Sequence, residues 1–151
     1  MSKPTLFLLV DDDADDTLLF EDALKKAAPS VGFSAAANGQ EALDKLNDPA
    51  APLPDVIFLD LNMPRMDGKE CLAQLKASDT LRHIPVIMYT TSSQSRDIEE
   101  TMLRGAVCFI TKPSNMRELQ HILGAVAENV HRNLERTLRM LSDNAQTFIV
   151  C

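Results

Sequence analysis

The stretch Thr5-Leu6-Phe7-Leu8-Leu9-Val10-Asp11-Asp12-Asp13 decides the fold. A continuous apolar run stops abruptly in three carboxylates. A strand with one wet face alternates apolar and polar residues; an unbroken apolar run reads as a strand buried on both faces. From Asp15 the period changes, and Leu18, Leu19, Ala23, Leu24 and Ala27 recur at helical spacing until Pro29 stops them. Residues 31–36 form a weaker strand, Asn38-Gly39 turns the chain, and 40–46 read as a short helix. Pro49, Pro52 and Pro54 hold the next segment as a loop. The pattern then returns in Asp55-Val56-Ile57-Phe58-Leu59-Asp60, the clearest buried strand in the chain. Helices are predicted over 68–78 and 94–103, the latter closed by Gly105 in a left-handed conformation, and strands over 84–90 and 107–111. One long amphipathic helix is predicted over 115–142.

Strand and helix thus alternate five times, which implies a parallel sheet with right-handed crossovers and helices on both faces. In such sheets the ligand site lies beyond the carboxyl ends of the strands. That rule selects Asp11, Asp12 and Asp13 after the first strand, Asp60 after the third, Thr90 after the fourth and Lys112 after the fifth.

Composition narrows the classes. The 151 residues suit one domain with a short extension, at 45% hydrophobic and 25% charged residues. The net charge of −7 argues against binding a phosphate backbone. No apolar run approaches the roughly 20 residues of a membrane helix, and the amino terminus lacks a signal-peptide pattern, so a cytoplasmic location is expected. Cys71, Cys108 and Cys151 have neither metal-ligand nor disulfide spacing and read as idle thiols.

Singly, each selected residue has an ordinary role as a cap, turn residue or solvated charge; Asp13 in particular reads as the cap of the first helix. Jointly they form a polar cleft. Asp11, Asp12 and Asp60 repel one another unless a cation intervenes, and oxygen ligands suit a hard ion such as magnesium. With that charge offset, one carboxylate can attack a phosphoryl group, while Lys112 and Thr90 bind its oxygens.

Five motifs carry a resemblance: Leu9-Val10-Asp11-Asp12; the run from Asp55 to Asp60 continued by Leu61-Asn62-Met63-Pro64; Met66-Asp67-Gly68; Pro85-Val86-Ile87-Met88-Tyr89-Thr90-Thr91; and Phe109-Ile110-Thr111-Lys112-Pro113. The chain resembles the CheY-like receiver domains of two-component response regulators over about residues 5–126. The resemblance implies a flavodoxin-like (βα)5 fold with strand order 2-1-3-4-5 and an extended C-terminal helix. It implies Asp60 as phosphoacceptor, and Asp11, Asp12, Asp60 and the Asn62 carbonyl as ligands of Mg2+. It further implies Thr90, Lys112 and Phe109 as phosphoryl-binding and switch residues, with Phe109 turning inward on phosphorylation. A cis peptide is implied before Pro113, and Asn62 and Ser92 are implied to tune dephosphorylation. Gly68 is expected to supply a positive φ. The implied partner is a sensor histidine kinase or histidine phosphotransfer protein, and the chain is expected to be a signalling protein rather than an enzyme. A looser resemblance links it to stand-alone regulators partnered with bacterial phytochromes.

Two alternatives stay open: a haloacid dehalogenase-like phosphohydrolase, and a pseudo-receiver that binds partners without phosphorylation. Residues 1–128 are expected to form the receiver, and 129–151 a helical extension and tail without a separate output domain. Leu119, Ile122, Leu123, Val126, Val130, Leu134, Leu138 and Leu141 continue an apolar seam beyond the usual end of a receiver. It either folds back on the same molecule or pairs in a homodimer, the latter being preferred. Neither nucleic acid nor membrane is expected as a direct partner. The run Gln146-Thr147-Phe148-Ile149-Val150-Cys151 reads as an added edge strand or an unstructured end.

Overall fold

The computed structural model describes residues 4–144 and 148–151. The order is β1 (Leu6–Val10), α1 (Ala14–Ala27), β2 (Gly32–Ala36), α2 (Gly39–Leu46), β3 (Val56–Leu59), α3 (Gly68–Ala77), β4 (Val86–Thr90), α4 (Ser95–Leu103), β5 (Cys108–Thr111), α5 (Met116–Asn129), α6 (Leu134–Asn144) and β6 (Ile149–Val150). One sheet runs β2-β1-β3-β4-β5-β6, parallel throughout except for β6, which is antiparallel to β5. The flavodoxin-like order is therefore present, with a sixth strand added. No helix among the described residues is long and apolar enough to cross a membrane.

The unbroken apolar runs are explained by the two covered faces. Phe7, Leu9, Val56, Phe58, Ile87 and Tyr89 pack beneath α1 and α5; Leu8, Val10, Ile57, Leu59, Val86 and Met88 pack beneath α2 and α3. Short polar side chains start the helices. Asp13, Asn38, Asp67 and Asn115 each accept a hydrogen bond from the backbone N–H three residues on, satisfying a donor that the helix leaves free. Asp13 is thus the expected cap. Gly105, at φ 105°, closes α4 as expected.

The C-terminal region departs from the single long helix. The chain breaks after Asn129, whose Nδ2 donates to the Ala125 carbonyl at 2.8 Å. The N–H groups of Arg132 and Asn133 both donate to the Asn129 carbonyl, at 3.0 and 3.1 Å. Asparagine favours such local bonds over helix continuation. After the break, α6 returns to the α1/α5 face, where Leu134, Leu138 and Leu141 are buried with Ile149. The seam that suggested a homodimer is covered by its own chain.

The edge-strand reading of the tail holds for its described part, with Phe109 opposite Val150 and Ile110 opposite Ile149; Gln146 and Thr147 lie outside the described residues. This strand corrects the cysteine reading. Cys108 on β5 and Cys151 beyond β6 form a disulfide across a sequence separation of 43, with Cα atoms 4.3 Å apart. Sheet pairing, invisible in the spacing, brings them together. Cys71 remains a free, buried thiol, its pKa pushed up to about 12 by burial.

Leu138 is fully buried in α6, so Leu138→Ala is expected to cost about 2–5 kcal/mol. Urea unfolding should show a lowered midpoint with an unchanged slope; a midpoint equal to wild type would show that α6 is not docked.

Candidate functional site

Parallel register assembles the site. Val10 lies opposite Leu59 in the β1–β3 pair, so the next residues, Asp11 and Asp60, emerge side by side. The Asp60 N–H donates to the Val10 carbonyl at 2.9 Å, and the Asp11 N–H to the Ala36 carbonyl at 3.0 Å. One carboxylate oxygen each from Asp11, Asp12 and Asp60 falls within a 4.8 Å cluster. Asp11 and Asp60 are buried and Asp12 is exposed. From the far side of β3, Lys112 enters with its N–H donating to the Thr90 carbonyl at 2.7 Å. Its ammonium lies 2.8 Å from Asp11 Oδ2, 2.7 Å from Asp16 Oδ2 and 3.8 Å from Asp60 Oδ2, and 5.7 Å from the centre of the Tyr89 ring.

The cluster holds more negative charge than Lys112 can offset. Burial alone would lower the Lys112 pKa, but the hydrogen bonds its ammonium donates to Asp11 and Asp16 outweigh it and push it up to about 12. Asp11 moves the other way in stability of its charge: desolvation raises its carboxyl above the usual range despite Lys112, and Asp60 adds repulsion. Tyr89 is pushed well up by burial, then by Asp16, Asp11 and Asp60. Asp11 Oδ1 accepts from the Asp13 N–H at 2.9 Å, whereas Asp11 Oδ2 is fully buried and meets the Lys112 ammonium at 2.8 Å. Three carboxylate oxygens within 4.8 Å of one another, with one ammonium to offset them, fit a divalent cation.

The loop after β3 is shaped by two backbone constraints. Asp60 Oδ1 accepts from the Leu61 N–H at 2.8 Å, and the Gly68 N–H donates to the Leu61 carbonyl at 2.9 Å. A Cβ on Gly68 would sit 2.1 Å from the Asp60 carbonyl oxygen, so close approach excludes any side chain there. The positive φ expected at Gly68 belongs instead to Arg65, at 68°, within a tight turn closed by the Met66 N–H on the Pro64 carbonyl at 2.8 Å. Asn62 is exposed on this loop.

Thr90 is fully buried at the end of β4. Ser92, two residues on, donates from Oγ to Asp97 Oδ2 at 2.7 Å. Lys69 on α3 bridges Asp97 at 2.9 Å and Glu100 at 2.7 Å. The Ser92 hydrogen bond, then Lys69, holds the Asp97 carboxyl below its ordinary range. The β4–α4 loop is thereby tied to α3. Phe109 is fully buried, packed on the α2/α3 face, the inward orientation. The cis peptide implied before Pro113 is absent: the described residues contain no cis bond. Asp16, Tyr89 and Asp97 were not singled out by sequence. The one available signal for Asp16 was the density of carboxylates in the first turn of α1, which the helix dipole explains equally well.

A family model for the response regulator receiver domain matches residues 7–124. The chain belongs to that family, the signalling modules of two-component systems, whose members bind a divalent metal and take a phosphodonor such as a histidine kinase as partner. It is close to the phytochrome-associated members. Response regulator Rcp1 of Synechocystis sp. is 32% identical over 122 residues, 78% of this chain and 83% of Rcp1. The Mn(2+)-bound form of Rcp1 has a TM-score of 0.73 at 31% identity, covering 82% of this chain and 91% of that one. The phosphorylated cyanobacterial phytochrome response regulator RcpA has a TM-score of 0.76 at 33% identity, over 83% and 93%.

The glycines allow a paired test. Gly68→Ala is expected to lower stability by about 1–3 kcal/mol, because backbone must move. Gly124→Ala on α5, where a Cβ meets only ordinary contacts at 3.6 Å and beyond, should gain about 0.5–1 kcal/mol from helix propensity. Thermal unfolding of both variants beside wild type checks the opposite signs.

Proposed function

We propose that this chain is a cytoplasmic phosphoacceptor that receives a phosphoryl group on Asp60 from a phosphohistidine, and that a phytochrome-type sensor kinase is the donor. The observation that carries the reading is the convergence of Lys112 with the Asp11, Asp12 and Asp60 carboxylates at one sheet edge. The likeness to Rcp1 and RcpA supports the choice of donor.

Asp60 Oδ1 is engaged by the Leu61 N–H, which leaves Oδ2 as the attacking atom. The O–P bond forms as the P–N bond to the donor imidazole breaks, and the imidazole leaves neutral by keeping a ring proton. Lys112, already beside Oδ2, binds the oxygens of the transferred group and offsets their charge. Asp11, Asp12, Asp60 and the Asn62 carbonyl would hold Mg2+, which when bound supplies the positive charge the carboxylates lack. Thr90 supplies a hydroxyl donor at the same edge, and Asn62 and Ser92 flank the approach of water, so they set the lifetime of the acyl phosphate. Phosphorylation acts by population shift: a new dianion favours one packing of the β4–α4 loop and Phe109 over another. The receiver spans residues 1–128, with 129–151 as an extension whose described part packs on it.

The family match favours this reading over a haloacid dehalogenase-like hydrolase, and the complete residue set favours it over a pseudo-receiver. Incubation with acetyl phosphate and Mg2+ should add one phosphoryl group by intact mass, absent in Asp60→Asn and absent when the metal is chelated. A label retained in Asp60→Asn would refute the assignment.

A further inference from the structure

We infer that Asp16 is a resting-state counter-ion that competes with the phosphoryl group for Lys112 and so acts as a built-in brake on phosphorylation. The inference rests on the reading of Asp60 given above and adds a residue to it.

Three carboxylates face the Lys112 ammonium, and they are not equivalent. Asp11 is held at the end of β1 and is fully buried. Asp60 is the farthest, at 3.8 Å. Asp16, on the first turn of α1, is the closest at 2.7 Å, accepts a directed hydrogen bond from the ammonium, and keeps 31% of its side chain exposed. It also stands outside the cluster of carboxylates able to share a cation. Its contact in this site is therefore with the lysine, and its exposure leaves it free to turn away into water. A dianionic phosphoryl group on Asp60 needs the same ammonium, so the lysine must give up its bond to Asp16. The Asp16 charge also opposes the incoming one. Both effects have one sign: removing the charge at Asp16 favours the phosphoryl-bound state.

The mechanism differs from a packing role. Asp16→Asn keeps the shape of the side chain and a neutral acceptor, and removes only the charge. Asp16→Glu keeps the charge. Beryllofluoride, a phosphoryl mimic, titrated with Mg2+ into the full chain should bind Asp16→Asn roughly three- to tenfold more tightly than wild type, the range set by a partly exposed charged hydrogen bond. Asp16→Glu should stay near wild type. With acetyl phosphate, the rate at saturating donor should rise in Asp16→Asn, and the gap from wild type should narrow at high salt, as screening weakens an exposed charge. Wild-type binding of beryllofluoride with unchanged or weaker binding by folded Asp16→Asn overturns this inference alone. Equal gains in Asp16→Asn and Asp16→Glu also overturn it, since charge would not be the cause. A wild-type chain that takes up neither beryllofluoride nor a phosphoryl group overturns the reading of Asp60 and this inference with it.

Discussion

One ammonium group set among carboxylates is the interaction around which the molecule is organised. Lys112 meets Asp11, Asp16 and Asp60, while Asp12 adds another negative charge to the same edge. A single positive charge cannot balance four negative ones, and burial of Asp11 and Asp60 removes the water that would screen those two. Such clusters contribute little to stability and often oppose it. The raised pKa of Asp11, caused first by desolvation, has that meaning. The fold tolerates the cluster because apolar side chains fill both faces of the sheet directly beneath it. The unsatisfied charge is then available for binding a cation and, with it, an anion.

Geometry at the sheet edge follows from parallel register more than from any local motif. Because Val10 pairs with Leu59 and Thr90 with Thr111, the residues that follow β1, β3 and β5 leave the sheet on the same edge. Strand twist and length need no special adjustment to bring them together. The loop beyond β3 does need it. Gly68 lies against the Asp60 backbone so closely that α3 begins almost in contact with the candidate acceptor. A displacement of Asp60 would press directly on the start of that helix. Tyr89 connects the other way, packing edge-on against Phe20 at 5.5 Å between ring centres while its ring faces Lys112. The site is thus continuous with the α1/α5 core.

Much of this was legible in the sequence because buried parallel strands leave a strong signature. The runs ending in Val10 and Leu59 could be read as central strands, and the rule of carboxyl-end sites then named Asp11, Asp60, Thr90 and Lys112. Asp13 could be read as a cap because its role is local. Asp16 could not be assigned, because its partner lies 96 residues away and its helix position already has a sufficient local explanation. Gly68 was recognised as special for the wrong reason. A sequence shows that a glycine is tolerated; whether backbone dihedral or close approach demands it appears only when Asp60 is placed beside it. The disulfide was hidden likewise, since Cys108 and Cys151 meet only after β6 pairs with β5.

The C-terminal helix shows how a correct pattern can give an incorrect element. Spacings of three and four run through Val126, Val130, Leu134, Leu138 and Leu141, and periodicity alone permits one rod. Length argues otherwise. A helix over 115–142 would reach about 42 Å at 1.5 Å per residue, whereas the strand it accompanies, β5, has four residues and spans about 13 Å. A straight rod must leave the domain after its first half and carry Leu134, Leu138 and Leu141 into water. Either a partner covers them or the rod breaks. The two asparagines, Asn129 and Asn133, stand where the helix would depart, and the Asn129 side chain takes the Ala125 carbonyl. Breaking there returns the three leucines to the core and lets the tail pair with β5, so that the Thr111 N–H, which would otherwise be free at an open edge, donates to the Phe148 carbonyl at 3.0 Å. Burial of apolar surface and satisfaction of an edge donor both favour the fold-back, and the length of the seam measures what was available to drive it.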